Sequence, residues 1–105
     1  MSVTREQVQP YISDQYSEDE TRELIQRYVE TQPIGTGIAR ARIRGTGTTV
    51  AAIIMVLQAE GGNVERAAWQ YNLSVKQVLA AVFYYWEHQE VIDAEITVRD
   101  SWFND

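Results

Sequence analysis

The stretch AAWQYNLSVKQV, residues 67–78, decides the fold that the sequence predicts. Ala67 and Ala68 are small residues on one helical pattern, and a second helical pattern starts after Ser74. Leu73 is an apolar residue that can pin the corner, and Ser74 is a favoured helix N-cap. This combination predicts a helix-turn-helix, the motif that many proteins place in the DNA major groove.

Helical spacing of apolar residues extends on both sides of this corner. It predicts helices over about residues 17–30, 49–60 and 63–71, and one long helix from 74 to about 93. Pro33, Gly61 and similar breakers separate them, and capping-box sequences occur at TREQ (4–7), SEDE (17–20) and SVKQ (74–77). The chain is therefore predicted to be mainly α-helical.

One segment changes period. In GTGIARARIRGTGTT, residues 35–49, arginines alternate with small or apolar residues, which predicts a strand or a small hairpin. Arg40, Arg42 and Arg44 would then line one face or edge and could track DNA phosphates. Alternatively, the arginines protect an edge strand from unwanted pairing or meet an acidic partner, including the acidic tail of another subunit.

The bulk composition limits the possible classes. The chain has 105 residues, a net charge of -6 and no cysteine, so we expect one domain without disulfides or thiol chemistry. Residues 1–36, 37–86 and 87–105 carry net charges of -4, +3 and -5, which makes the helix-turn-helix region mildly basic between acidic ends. The acidic N-terminus is no signal peptide, and the longest apolar run is too short to cross a bilayer, so we expect a cytoplasmic protein without membrane contact.

At this point the sequence resembles a small bacterial family catalogued as domain of unknown function 433. Members usually show an I-x-G-T-R-I-P-V segment, a helix that ends at glycine, and then a pattern that finishes in two tyrosines. The matching positions are Ile43, Gly45, Thr46, Val50, Gly61, Glu65, Ala68, Leu73, Ser74, Val78, Ala80, Ala81, Tyr84 and Tyr85. The resemblance covers residues 38–93 and departs at Gly47, Thr48 and Thr49, where the family usually has Arg, Ile and Pro.

The resemblance implies a homeodomain-like three-helix helix-turn-helix core preceded by a small β-strand pair. Together with the helical spacing in residues 17–30, which lie outside the resemblance, this predicts a mainly α fold with an extra N-terminal helix. Residues 1–36 would be an N-terminal helical extension, 37–93 the strand pair plus helix-turn-helix domain, and 94–105 an acidic C-terminal tail. Many members look like antitoxins encoded beside a PIN-like ribonuclease toxin. By this analogy the chain would bind its own operator and its toxin.

If duplex DNA is bound, the second helix of the motif should present its first turns to the groove. Gln77 could read adenine, and Lys76 could hold guanine or a phosphate. In the alternative interpretation, Gln77 only caps its helix and Lys76 is only solvated. The DNA-contacting candidates on this helix are Ser74, Lys76, Gln77, Ala80, Ala81 and Tyr84.

Aromatic residues near the C-terminus are candidates for protein contact. Tyr84 or Tyr85 could lie in a homodimer interface, which half-site reading normally requires. Trp102 and Phe103, two large aromatics in an acidic tail, either close over the core of the domain or anchor in a partner.

The sequence offers no evident catalytic or cofactor site. His88 is the only histidine, and its acidic neighbours do not have an established metal-ligand spacing. We therefore expect no enzyme, metal or cofactor. The leading interpretation is a DNA-binding regulator of antitoxin type. The competing interpretation is a protein-interaction module that kept the helix-turn-helix fold and lost DNA contact.

Overall fold

The computed structural model describes Val8, residues 17–34 and residues 38–103. This part of the chain is mainly helical and carries a small two-stranded antiparallel sheet, which confirms the predicted combination. The elements in chain order are α1 (Glu18–Tyr28), β1 (Val29–Ile34), β2 (Ile38–Ile43), α2 (Val50–Ala59), α3 (Val64–Tyr71), α4 (Val75–Glu87) and α5 (Gln89–Phe103).

Polar N-caps explain where the first four of these helices begin. In each case the side-chain oxygen of the cap accepts a hydrogen bond from a backbone N–H three residues later, which satisfies one of the otherwise unpaired donors. The capping residues are Ser17, Thr49, Asn63 and Ser74. The predicted capping box at residues 4–7 lies outside the described residues.

The hairpin begins earlier than the sequence predicts. The first helix ends at Tyr28 instead of near residue 30, and Val29 adopts extended geometry opposite Ile43. The pairing then runs to Ile34 opposite Ile38. The hairpin therefore includes residues 29–34, and the predicted domain boundary after residue 36 divides it.

Helix α4 lies at the centre of the fold. It packs against the hairpin and against every other helix that the structure describes. Its side chains from Val78 to Phe83 and that of Tyr85 are buried. The hairpin contributes Ala41 and Ile43 to the same core, so the small and apolar side of β2 faces inward as predicted.

The prediction of one long helix from residue 74 to about residue 93 is wrong, because the helix breaks at His88. That residue caps α4 with φ -130° and ψ 38°, and α5 starts at the next position. The change of direction buries Ile92 and Ile96 against the core. Helix α5 continues to Phe103, so most of the predicted tail from residue 94 is helical.

The hydrophobic helices of this core are short. Within the part of the chain that the structure describes, no helix combines the length and apolar composition required to span a bilayer. The apolar helix α2 has ten residues, and its buried side chains serve the internal core.

Candidate interaction surfaces

The corner between α3 and α4 is closed by backbone hydrogen bonds. Asn72 has φ 56° and ψ 47°, the left-handed conformation that commonly ends a helix. Its N–H donates to the carbonyl of Trp69 at 3.3 Å, and the N–H of Leu73 donates to that of Ala68 at 2.8 Å. Helix α3 therefore stops at Tyr71, and α4 restarts as a separate helix after a turn of three residues.

The first turn of α4 is a reciprocal capping box. The Ser74 hydroxyl accepts a hydrogen bond from the Gln77 N–H at 3.1 Å, and Gln77 Oε1 accepts one from the Ser74 N–H at 2.8 Å. The predicted capping role of Gln77 is confirmed. An adenine contact by Gln77 would have to replace this hydrogen bond.

Little of α4 is open to a DNA groove. Ser74 and Lys76 are exposed, but the prediction that Ala81 contacts DNA is wrong, because its exposed fraction is 0 %. Ala80 is buried in the same way. Tyr84 is half-buried, and its ring stacks on His88 with centroids 4.1 Å apart. The surface of α4 that could meet a base edge is therefore limited to its first turn.

Lys76 does not stand in a basic environment. It lines a shallow surface depression together with Leu24 and Arg27 of α1 and with the carboxylates of Glu20 and Glu23. Two nearby acids reduce the positive potential that a phosphate would meet at the lysine. Lys76 is therefore a weaker phosphate ligand here than the sequence alone indicates.

Glu30 on β1 holds two of the three arginines that the sequence predicts as DNA contacts. Arg42 Nε lies 3.1 Å from Glu30 Oε1, and Arg44 Nη1 lies 3.6 Å from Glu30 Oε2. Arg44 Nη2 also donates to the carbonyls of Gln26 and Val29, each at 3.2 Å. Arg40 is exposed. The predicted basic face of β2 is therefore largely engaged within the molecule.

Sequence reasoning missed an exposed aromatic residue on α3. Trp69 is 72 % exposed, and the Arg66 guanidinium lies 4.8 Å from the centre of its ring. Ala67 and Ala68 lie on the packing face of this helix, and Trp69 comes next in the sequence, off that face. This position was the signal in the sequence, because a tryptophan off the packing face of a short helix has no core to enter.

A second apolar surface lies on α5. Val91 and Val98 are 59 % and 51 % exposed, and Ala94 between them is exposed as well. The buried positions Ile92 and Ile96 belong to the other side of the helix. The sequence predicts Val91 near the end of the long helix and Ala94 and Val98 in the acidic tail, so this surface was not expected.

Tyr85 belongs to the core. The prediction that it lies in a partner interface is wrong, because its side chain is fully buried and its hydroxyl donates to Asp93 Oδ1 at 2.7 Å. Burial, and then the hydrogen bond and charge of Asp93, raise the pKa of Tyr85. The side chains of Trp102 and Phe103 lie outside the described part of the structure, so their partner contacts stay a prediction.

A resident metal has no evident place in the described residues, which contain no group of three or more His, Cys, Asp or Glu side chains placed to hold one. His88 is exposed, and its Nδ1 lies 3.2 Å from the Tyr84 carbonyl oxygen. The chain matches no protein-family model, no curated protein and no solved structure.

Proposed function

We propose that this chain is a protein-interaction module in which α2, α3 and α4 form a homeodomain-like helix-turn-helix scaffold. The observation that carries the proposal is the exposure of Trp69 on α3. By the resemblance to domain of unknown function 433, the partner is a PIN-like toxin, and the chain acts as its antitoxin.

Trp69 has the properties of an interface anchor. A tryptophan ring buries about 150–250 Å² when it is covered, and Trp and Arg are enriched among residues that dominate binding energy. The Arg66 guanidinium over the ring restricts the side chain before binding, which lowers the entropy cost of ordering it. The pair therefore forms a pre-organised contact for a concave partner surface.

The test co-expresses the chain with the protein encoded by the neighbouring reading frame and measures their affinity by calorimetry. Trp69→Ser should weaken the complex about 30-fold, because hot-spot truncations cost about 2 kcal/mol or more. Gln70→Ala, at an exposed position on the same helix, is the matched control and should leave the affinity unchanged. Equal affinities for wild type and Trp69→Ser, or no complex at all, would contradict the proposal.

A second candidate function is a DNA-binding regulator of antitoxin type. The capped first turn of α4 favours it, because Ser74 and Lys76 are exposed directly after a short inter-helix turn. Arg40 supplies one more exposed cation. In this candidate the chain binds its own operator as a homodimer, with the two reading helices in successive half-sites.

The DNA candidate makes a quantitative prediction about salt. With Arg40 and Lys76 as the phosphate ligands, the slope of log affinity against log salt should be about -1.8 per protomer. Fluorescence anisotropy with duplex DNA from upstream of the gene measures it. Sequence-selective binding that is lost in an Arg40→Ala/Lys76→Ala double variant supports DNA reading. No binding at low salt leaves the interaction module.

A further inference from the structure

Helix α5 carries an apolar stripe on the side that faces away from the core. Val91, Ala94 and Val98 follow one another at spacings of three and four residues, so they share one face of the helix. The core side of the same helix is occupied by Ile92 and Ile96. A helix with apolar residues on two sides has one side for its own domain and another for a second body.

The stripe is large enough to indicate a contact. Val91 and Val98 are among the few large apolar side chains that the described structure leaves exposed, and both are more than half exposed. The spacing of three and then four is the seam pattern of helices that pack on a second helix or in a groove. Trp102 follows Val98 by four residues in this helix, a distance of about one turn.

The charges beside the stripe are mainly negative, and Arg99 is the one basic residue of α5. Glu90 and Glu95 are on the same helix as the stripe, and residues 87–105 as a whole carry a net charge of -5. A second copy of this helix would bring mainly like charges together along the seam, because acids outnumber Arg99, and this disfavours self-pairing. A partner with positive charge beside an apolar groove or helix would match both features.

We propose that the α5 stripe docks a basic partner: an apolar helix or groove whose edges carry lysine or arginine. This inference rests on the proposed function as an interaction module, and it adds the chemistry of the partner and a second contact surface separate from Trp69. Valines fill the apolar seam, and the carboxylates of α5 select for the basic edges. The partner's cations provide specificity and faster association, while burial of the valines provides most of the affinity.

The experiment uses the full chain and two synthetic helical peptides of about 21 residues, or three heptads. Both peptides carry leucine at the seam positions; one has lysine and the other glutamate at the flanking positions. We expect the lysine peptide to bind at least about tenfold more tightly in calorimetry. Equal binding of the two peptides, or binding of neither, would overturn the proposal.

Variants then separate the stripe from general attraction between an acidic chain and a basic peptide. Val91→Ser/Val98→Ser should weaken the lysine peptide about tenfold or more, because the apolar seam is lost. Val75→Ser, an exposed valine on α4, is the matched control and should change nothing. All of the substituted side chains are exposed, so an unchanged melting temperature verifies that the variants fold. Undiminished binding to the double variant would overturn the proposal.

Two further measurements keep this inference distinct from the proposed function. Trp69→Ser should keep the affinity for the lysine peptide even where it no longer binds the protein partner. The result for the Trp69 surface is therefore independent of the result for the α5 stripe. Analytical ultracentrifugation tests the self-pairing alternative. A wild-type dimer that becomes monomeric in Val91→Ser/Val98→Ser would assign the stripe to a second copy and overturn the basic partner.

Discussion

The hydrogen bond between Tyr85 and Asp93 leads to a stability prediction whose sign changes with pH. At neutral pH, Tyr85→Phe should lower the free energy of unfolding, because it removes a 2.7 Å bond to a carboxylate from a buried ring. Bonds to charged groups contribute about 1.5–3 kcal/mol, but Asp93 is only half-buried and water can replace part of the loss. We therefore expect a cost of about 1–2 kcal/mol.

The loss of stability at alkaline pH follows from the ionisation of Tyr85. Burial, and then Asp93, raise the pKa of its hydroxyl above the ordinary value of 10.0. A raised folded-state pKa means that this stabilisation is complete below pH 10 and is lost as the pH rises toward the folded-state pKa. In that window the wild type loses about 1.4 kcal/mol per pH unit relative to a phenylalanine variant, which has no proton to lose. The two stability curves should cross near about pH 11.

Urea unfolding followed by circular dichroism, from pH 7 to about pH 12, measures both limbs. Burial and the carboxylates of Glu95 and Glu87 raise the pKa of Tyr84, but Tyr84 is present in both proteins and largely cancels in their difference. Tyr71→Phe is the control at neutral pH, since the Tyr71 hydroxyl lies 3.5 Å from its acceptor and should contribute little. A stability gap between wild type and Tyr85→Phe that stays constant to pH 12 would refute the reasoning.

Three other substitutions test local features. Asn72→Ala should lower the free energy of unfolding by about 1 kcal/mol in thermal melts, because φ at this position is 56°. Asn72→Gly should not lower it, because glycine adopts this φ without strain. Equal effects of the two substitutions would exclude backbone strain as the cause. Ser74→Ala removes the capping box and should cost about 1 kcal/mol in the same melts. Glu30→Gln should lower the free energy of unfolding by less than about 1 kcal/mol and release Arg42 and Arg44 from their ion pairs. The released arginines should raise the affinity for duplex DNA at low salt, measured by fluorescence anisotropy. An unchanged affinity would show that these arginines do not reach DNA.

The helix starts could be predicted because they depend on neighbouring residues only. Asn63 and Ser74 cap their helices through backbone N–H groups three positions later, so the signal lies within four residues of sequence. The inward side of β2 was predictable for a similar reason. Alternation of arginines with Ala41 and Ile43 assigns the two faces of a strand directly.

Contacts between distant segments could not be predicted in this way. The segment VETQPI (29–34) has no alternating pattern, and it becomes a strand because β2 supplies its hydrogen-bond partner. Glu30 then pairs with both Arg42 and Arg44, which are twelve and fourteen positions away in the chain. From the sequence alone, the three arginines therefore predict a free basic surface, because the pairing of β1 with β2 that brings Glu30 beside them is not visible there.

The prediction that Ala81 contacts DNA was wrong for the same reason, namely that burial depends on distant segments. Alanine is small enough for a groove-facing position or for a close helix contact, so the residue type does not decide between them. The surrounding helices decide it, because they enclose α4 on nearly every side. The break at His88 is likewise non-local, since it lets Ile92 and Ile96 reach the core.

The attachment of α5 determines which part of the molecule opens first. Among the side chains that the structure describes on α5, Ile92 and Ile96 enter the core and Asp93 bonds to Tyr85, whereas α4 is enclosed on nearly every side. Burial of two such side chains stabilises the attachment by about 3–6 kcal/mol, less than the global stability of many domains. Amide protons of α5 should therefore exchange with solvent before those of α4. A protein bound to α5 would also slow this fraying, and so protect the whole chain from proteases.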